Sequence, residues 1–237
     1  MNKPLIVALD FPSSNEALSL VSQLEIYHPF VKVGMELYYK EGPAIIEELK
    51  MKNCNIFLDL KLHDIPNTVK QAMKQLARLE VDLVNVHAAG GKVMMEAALE
   101  GLEAGSRVGR KRPKCIAVTQ LTSTTENMLT EELLIHSSME TTIKLYAALA
   151  KESGLDGVVC SALEVPSIKE VCGNNFLAIT PGIRNSEDNN HDQHRIVSPV
   201  QANRLGSDVI VVGRSITGAK DPHSAYLRMK SEWEGLL

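Results

Sequence analysis

Short apolar runs alternate along the chain with longer stretches in which apolar residues recur every three or four positions. The runs are "LIVALD", "FVKVGM", "NIFLDLK", "LVNVHA", "CIAVTQLT", "GVVCSA", "FLAITPGI" and "VIVVGRSI". Between them lie stretches such as "SNEALSLVSQLE", "GPAIIEELKMK", "PNTVKQAMKQLARLE" and "GKVMMEAALEGLEAG". Runs this short and this apolar suit strands buried on both faces, and the intervening stretches carry helical periodicity. Repeated over the whole length, the alternation predicts a parallel (β/α)8 TIM barrel, α/β in class, with residues 1–237 forming a single domain. An open doubly wound sheet is the competing architecture. No GxGxxG follows the first run, and the number of units favours closure.

The two long polar connections, 123–137 and 184–197, each follow a strand C-terminus, the face on which barrel active sites lie. The second, "RNSEDNNHDQHRIV", has few apolar anchors and reads as a lid. Its His191, Asp192 and His194 have no defined helical face to share, so they read as solvated side chains rather than metal ligands.

Side-chain parity singles out one end of the barrel. In "NIFLDLK", Ile56, Leu58 and Leu60 share the face that packs under the helices, which directs Phe57, Asp59 and Lys61 inward. The same rule turns Lys32 inward while Val31, Val33 and Met35 face the helices. It also places Asp10 above Ile6 and Ala8, and it puts Asn85 and His87 on one face. His63 has no chemical requirement attached to it, and His87 reads as a hydrogen-bonded core histidine. Barrel interiors are normally filled with layers of aliphatic side chains. Charges there must be interleaved as ion pairs, because an unpaired buried charge costs several kcal/mol. A salt-bridge plug that merely fills a barrel is a weak explanation, since hydrophobic replacement of buried pairs is often neutral or stabilising. Asp10, Lys32, Asp59 and Lys61 therefore read as a functional site.

Composition narrows the partners. The chain is 44% hydrophobic and 23% charged, which is globular, and its net charge of −4 gives no reason to expect a nucleic-acid partner. The basic run Arg110-Lys111-Arg112 reads as a solvated loop. No stretch approaches the ~20 apolar residues of a membrane span, and the apolar run near the N-terminus is short for a signal peptide. Cys54, Cys115, Cys160 and Cys172 show no CxxC spacing, which fits reduced thiols better than disulfides or zinc. A cytoplasmic protein is the expectation.

The stretch Asp59-Leu60-Lys61-Leu62-His63-Asp64-Ile65-Pro66-Asn67-Thr68 closely resembles the DxKxxDIPNT signature of the orotidine 5′-phosphate decarboxylase family. "VALDF" at 7–11, "VKVGMEL" at 31–37, "TPGIR" at 180–184, "DQHR" at 192–195 and "VVGRSIT" at 211–217 extend the resemblance over nearly the whole chain. It implies decarboxylation of orotidine 5′-phosphate to uridine 5′-phosphate in pyrimidine biosynthesis, by a homodimer without metal or organic cofactor. By position it makes Lys61 the proton donor and Asp59 the carboxylate beside the departing one. Lys32 and Asp64 complete the array, with Asp64 supplied across the dimer interface. Asp10 and Thr68 match ribose contacts, Thr122 or Ser123 a pyrimidine contact, and Pro181, Arg184, Gln193, Gly213 and Arg214 the phosphate side. The nearest rival is a magnesium-dependent sugar-phosphate decarboxylase or synthase of the same superfamily.

The chemistry accounts for the residue types. Loss of CO2 from the pyrimidine leaves an electron pair on a ring carbon with no carbonyl placed to delocalise it. Other decarboxylases supply an electron sink through a cofactor. A fixed ammonium can instead meet the charge where it forms and then deliver a proton. Flanking Asp59 and Asp64 are expected to hold Lys61 as the ammonium despite burial. At the phosphate end, Gly182 and Gly213 allow close backbone approach and Arg214 offers a forked donor.

Overall fold

The computed structural model describes residues 3–184 and 196–236. Eight strands run parallel in chain order and close on themselves: β1 Leu5–Ala8, β2 Phe30–Gly34, β3 Asn55–Leu62, β4 Leu83–His87, β5 Lys114–Val118, β6 Gly157–Val159, β7 Leu177–Ile183 and β8 Val209–Val212. Pairing of β1 with β8 completes the barrel, in line with the strand–helix alternation of the sequence.

Two sets of side chains hold it. Inside, Ile6, Ala8, Phe57, Leu83, Ile116, Ile179, Val209 and Val211 form a closed apolar filling. Outside, Val31, Val33, Ile56, Leu58 and Leu60 join the larger core under the helices. Strand parity therefore predicted both faces of β1, β2 and β3. Met35 is the exception. It is 45% exposed and opens the helix Met35–Glu41, because β2 ends one residue earlier, at Gly34.

The helices start where side chains can satisfy their free N–H groups. Ser13 accepts from Glu16 N–H, Ser138 from Thr141 N–H and Ser198 from Gln201 N–H. Pro66 begins the helix Pro66–Arg78 in the first turn, where its missing N–H costs nothing, as the sequence predicts. The connection 123–137 is not wholly irregular, since Met128–Glu132 form a helical turn. The basic run is divided: Arg110 and Lys111 are exposed, but Arg112 pairs with Asp156 at 2.7 Å. Among the described residues, no helix is long and apolar enough to cross a membrane.

Candidate active site

A cavity of about 500 Å3 opens at the C-terminal ends of the strands, a size suited to a small-molecule ligand. Register explains how charge reaches it. Ala8, Lys32 and Phe57 stand level on adjacent strands, and Gly34 stands level with Asp59 one layer higher. Gly34 leaves that layer open, so the Lys32 side chain rises from below to lie between Asp10 and Asp59. A Cβ at position 34 would sit 3.1 Å from Lys32 Nζ and 3.2 Å from Asp10 Oδ1. The glycine is needed for space, not for an unusual backbone.

The result is an alternating chain of charges. Lys32 Nζ lies 2.8 Å from Asp10 Oδ1 and 3.5 Å from Asp59 Oδ2, and Lys61 Nζ lies 2.7 Å from Asp59 Oδ1. Burial alone would push the Lys32 ammonium pKa down. Asp59 and Asp10 outweigh that and hold it above its ordinary value. Burial alone would raise the Asp59 pKa, but Lys32, Lys61 and hydrogen bonds from Lys61 and Asn85 hold it below the usual carboxylate range. Lys32 and Asp59 thus each stay charged because of their neighbours.

Lys61 arrives by an irregular path. The β3–β4 pairing jumps between Leu58 and Leu62, and Lys61 takes a left-handed backbone with φ of 51°, uncommon for a non-glycine residue. Its N–H is taken by the Asn85 side chain at 2.7 Å. Simple alternation predicted the inward lysine but not the bulge that aims it.

At the far side, Pro181, Gly182, Ile183, Arg184, Gly213, Arg214 and Thr217 line the wall. Gly182 has φ of 78°, a left-handed conformation that glycine adopts without strain, and β7 shifts register there. Arg184 is buried, and its backbone is tied to Val197. Thr122 and Ser123 line the cavity on a third side.

Of the residues expected in the site, Asp10, Lys32, Asp59, Lys61, Thr122, Ser123, Pro181, Arg184, Gly213 and Arg214 surround this one cavity. Asp64 and Thr68 do not. Both are exposed, and Asp64 Oδ1 accepts from the Ile65 N–H at 2.6 Å. The expected flanking of Lys61 by Asp64 is therefore not made within one chain, because the backbone has left the barrel at Leu62 before reaching it. Gln193 and most of the expected lid lie outside the described residues. His87 also departs from expectation: its buried Nδ1 has no hydrogen-bond partner among the described residues, and its ring stacks on His63 at 5.6 Å between centroids.

Sequence reasoning missed Gln120, a buried polar residue on the cavity wall. The signal was available in parity, since Ile116 and Val118 precede it on the same inward face. Among the described residues, no group of three or more His, Cys, Asp or Glu side chains is placed to hold a metal ion.

Fold and site together define a (β/α)8 barrel with a charged cavity at its C-terminal mouth, and similarity to known proteins makes it an enzyme of the carboxy-lyase class. Residues 3–229 match the model of the family described as "Orotidine 5′-phosphate decarboxylase / HUMPS family". A Geobacillus sp. (strain WCH70) protein named orotidine 5′-phosphate decarboxylase is 63% identical over 235 residues, covering 99% of this chain and 98% of that one. A Bacillus caldolyticus protein of the same name is 64% identical over 235 residues, covering 99% and 96%. The crystal structure of the Lactobacillus acidophilus enzyme of that name superposes with a TM-score of 0.88 at 44% identity, covering 98% of this chain and 99% of that one. The chain belongs to the orotidine 5′-phosphate decarboxylase / HUMPS family.

Proposed function

We propose that this enzyme decarboxylates orotidine 5′-phosphate to uridine 5′-phosphate, and that Lys61 is the proton donor. The observation that carries the reading is the Asp10–Lys32–Asp59–Lys61 chain at the mouth of the barrel. With the substrate phosphate toward Gly213, Arg214 and the Pro181–Arg184 wall, the pyrimidine reaches Lys61 and the ring edge faces Thr122 or Ser123. The resemblance assigns Gln193, outside the described residues, to the phosphate; Asp10 holds the ribose, and Thr68, exposed and off the cavity of its own chain, reaches it from a second copy. The carbon–carbon bond to the carboxylate breaks, CO2 leaves, and the electron pair stays on the ring carbon. Lys61 Nζ stabilises that pair and transfers one proton to it. Asp59 stands beside the departing carboxylate, pairs with Lys61 and keeps Lys32 charged.

Asp64 enters this reading from a second copy of the chain. Its exposure and its distance from the cavity of its own chain support that, and a homodimer follows. The reading assigns no cofactor. The two carboxylates that line the cavity, Asp10 and Asp59, are both engaged by Lys32 rather than left open to a metal. The four cysteines, all buried and none in a disulfide, support a reducing, cytoplasmic setting.

The test is turnover of orotidine 5′-phosphate in EDTA, followed by pyrimidine absorbance, with Lys61→Ala beside the wild type. The reading expects undiminished conversion by the wild type and near-complete loss in the variant. Abolition of wild-type turnover by the chelator would favour the magnesium-dependent rival, and a fully active Lys61→Ala would end the assignment of the proton donor.

A further inference from the structure

We infer that Asn85 is a positioning residue for this reaction, the side chain that locks Asp59 and Lys61 into working alignment. The inference rests on the proposed function and adds a residue to it. Asn85 sits inside the barrel on β4, 1% exposed, opposite the bulge in β3. Its Nδ2 donates to Asp59 Oδ1 at 2.7 Å, and its Oδ1 accepts the Lys61 backbone N–H, also at 2.7 Å. One amide therefore grips the side chain of the acid and the backbone of the base.

Both grips meet a need that the backbone leaves open. The bulge removes Lys61 N–H from the regular ladder, and a buried N–H without a partner is costly. The left-handed backbone at Lys61 persists only where its surroundings impose it. Asn85 Oδ1 supplies the acceptor and so fixes that conformation. On the other side, Asp59 Oδ1 receives both Asn85 Nδ2 and Lys61 Nζ, which leaves Oδ2 turned toward Lys32 at 3.5 Å. A carboxylate free to rotate would give up one ammonium or the other. Asparagine suits the position because it carries a donor nitrogen and an acceptor oxygen on a short, neutral side chain. Aspartate would keep the acceptor but set a second carboxylate against Asp59. Leucine fills a similar volume and offers neither group.

The test measures Asn85→Leu and Asn85→Asp beside the wild type for turnover of orotidine 5′-phosphate, affinity for uridine 5′-monophosphate and melting temperature. A misaligned reacting pair should lower kcat about a hundredfold in Asn85→Leu, and further in Asn85→Asp because of the added like charge. Affinity for the product should hold, since the phosphate wall is untouched. Asn85→Ser replaces Asn85→Leu if the latter does not fold. Unchanged kcat in these variants would overturn the inference. So would a kcat that falls only in step with product affinity and melting temperature, the mark of a merely structural asparagine. A wild type without turnover would instead refute the proposed function, leaving the two failures distinguishable.

Discussion

The two ends of this barrel use aspartate for opposite purposes. At the N-terminal end Asp82, Asp156 and Asp208 each stand immediately before an even-numbered strand and clamp the preceding odd one. Asp82 Oδ2 accepts from Ile56 N–H, Asp156 Oδ2 from Cys115 N–H and Asp208 Oδ2 from Ala178 N–H, each at 2.7 Å. In every case the aspartate backbone N–H returns a bond to the carbonyl of the same residue. This two-point clamp recurs at three of the barrel's strand junctions and satisfies strand-start N–H groups. At the C-terminal end Asp10 and Asp59 bind no strand backbone among the described residues; they bind the ammonium groups of Lys32 and Lys61. The lower carboxylates hold register, and the upper ones hold charge inside a cavity. Neither purpose can be read from residue type alone.

Among variants that keep Lys61 in place, the largest effect should come from Asp59→Asn. Removing the shared counter-charge of two ammonium groups should cut kcat/KM about a thousandfold and cost about 3 kcal/mol of stability, checked by steady-state turnover and urea unfolding. Asp208→Ala should do the reverse. It removes the acceptor for Ala178 N–H and the partner of Lys169 at 2.6 Å, costing about 2 kcal/mol while turnover on the remaining folded enzyme holds. Gly34→Ala should give a smaller loss, about tenfold in kcat/KM, because the displaced Lys32 terminus must leave its preferred rotamer; stability should change little.

The smallest effect concerns pH. The depressed Asp59 pKa contributes stability that is present above about pH 4 and lost as pH falls through the folded value. The raised Lys32 pKa contributes stability that is present below about pH 10 and lost as pH rises through its folded value. Lys32 and Asp59 therefore add no pH dependence between those limits. His87 is different: burial first, then His63 and Lys61, hold its pKa below the ordinary histidine value. As pH falls below about 6.5 the unfolded chain takes up a proton that the folded one refuses, so stability declines. Urea midpoints from pH 7 to 5 should fall for the wild type and fall less for His87→Gln.

The barrel and the inward direction of Lys32, Asp59 and Lys61 were legible because strand parity and strand–helix alternation are local properties of the chain. Arg184, Gly213 and Arg214 were legible through resemblance and through their place after strands seven and eight, where barrels commonly hold phosphate, though nothing in their spacing specifies a shared wall. What stayed hidden depends on register between strands. An aspartate before an aliphatic run is visible at 82, 156 and 208, but its partner is on the neighbouring strand. The Asn85 bridge needs the bulge between Leu58 and Leu62, which alternation cannot foresee. Asp64 carries the signature yet lies exposed outside its own cavity, because the backbone has left the barrel at Leu62.

The most direct test of this division crosses one residue from each end, Lys61→Ala against Asp156→Ala, measuring turnover and melting temperature on both. Lys61→Ala should lose about four orders of magnitude in turnover with its melting temperature nearly unchanged. Asp156→Ala should keep its turnover and melt about 5 °C lower. Near-normal turnover in Lys61→Ala, or parallel losses of both properties in the two variants, would contradict the account.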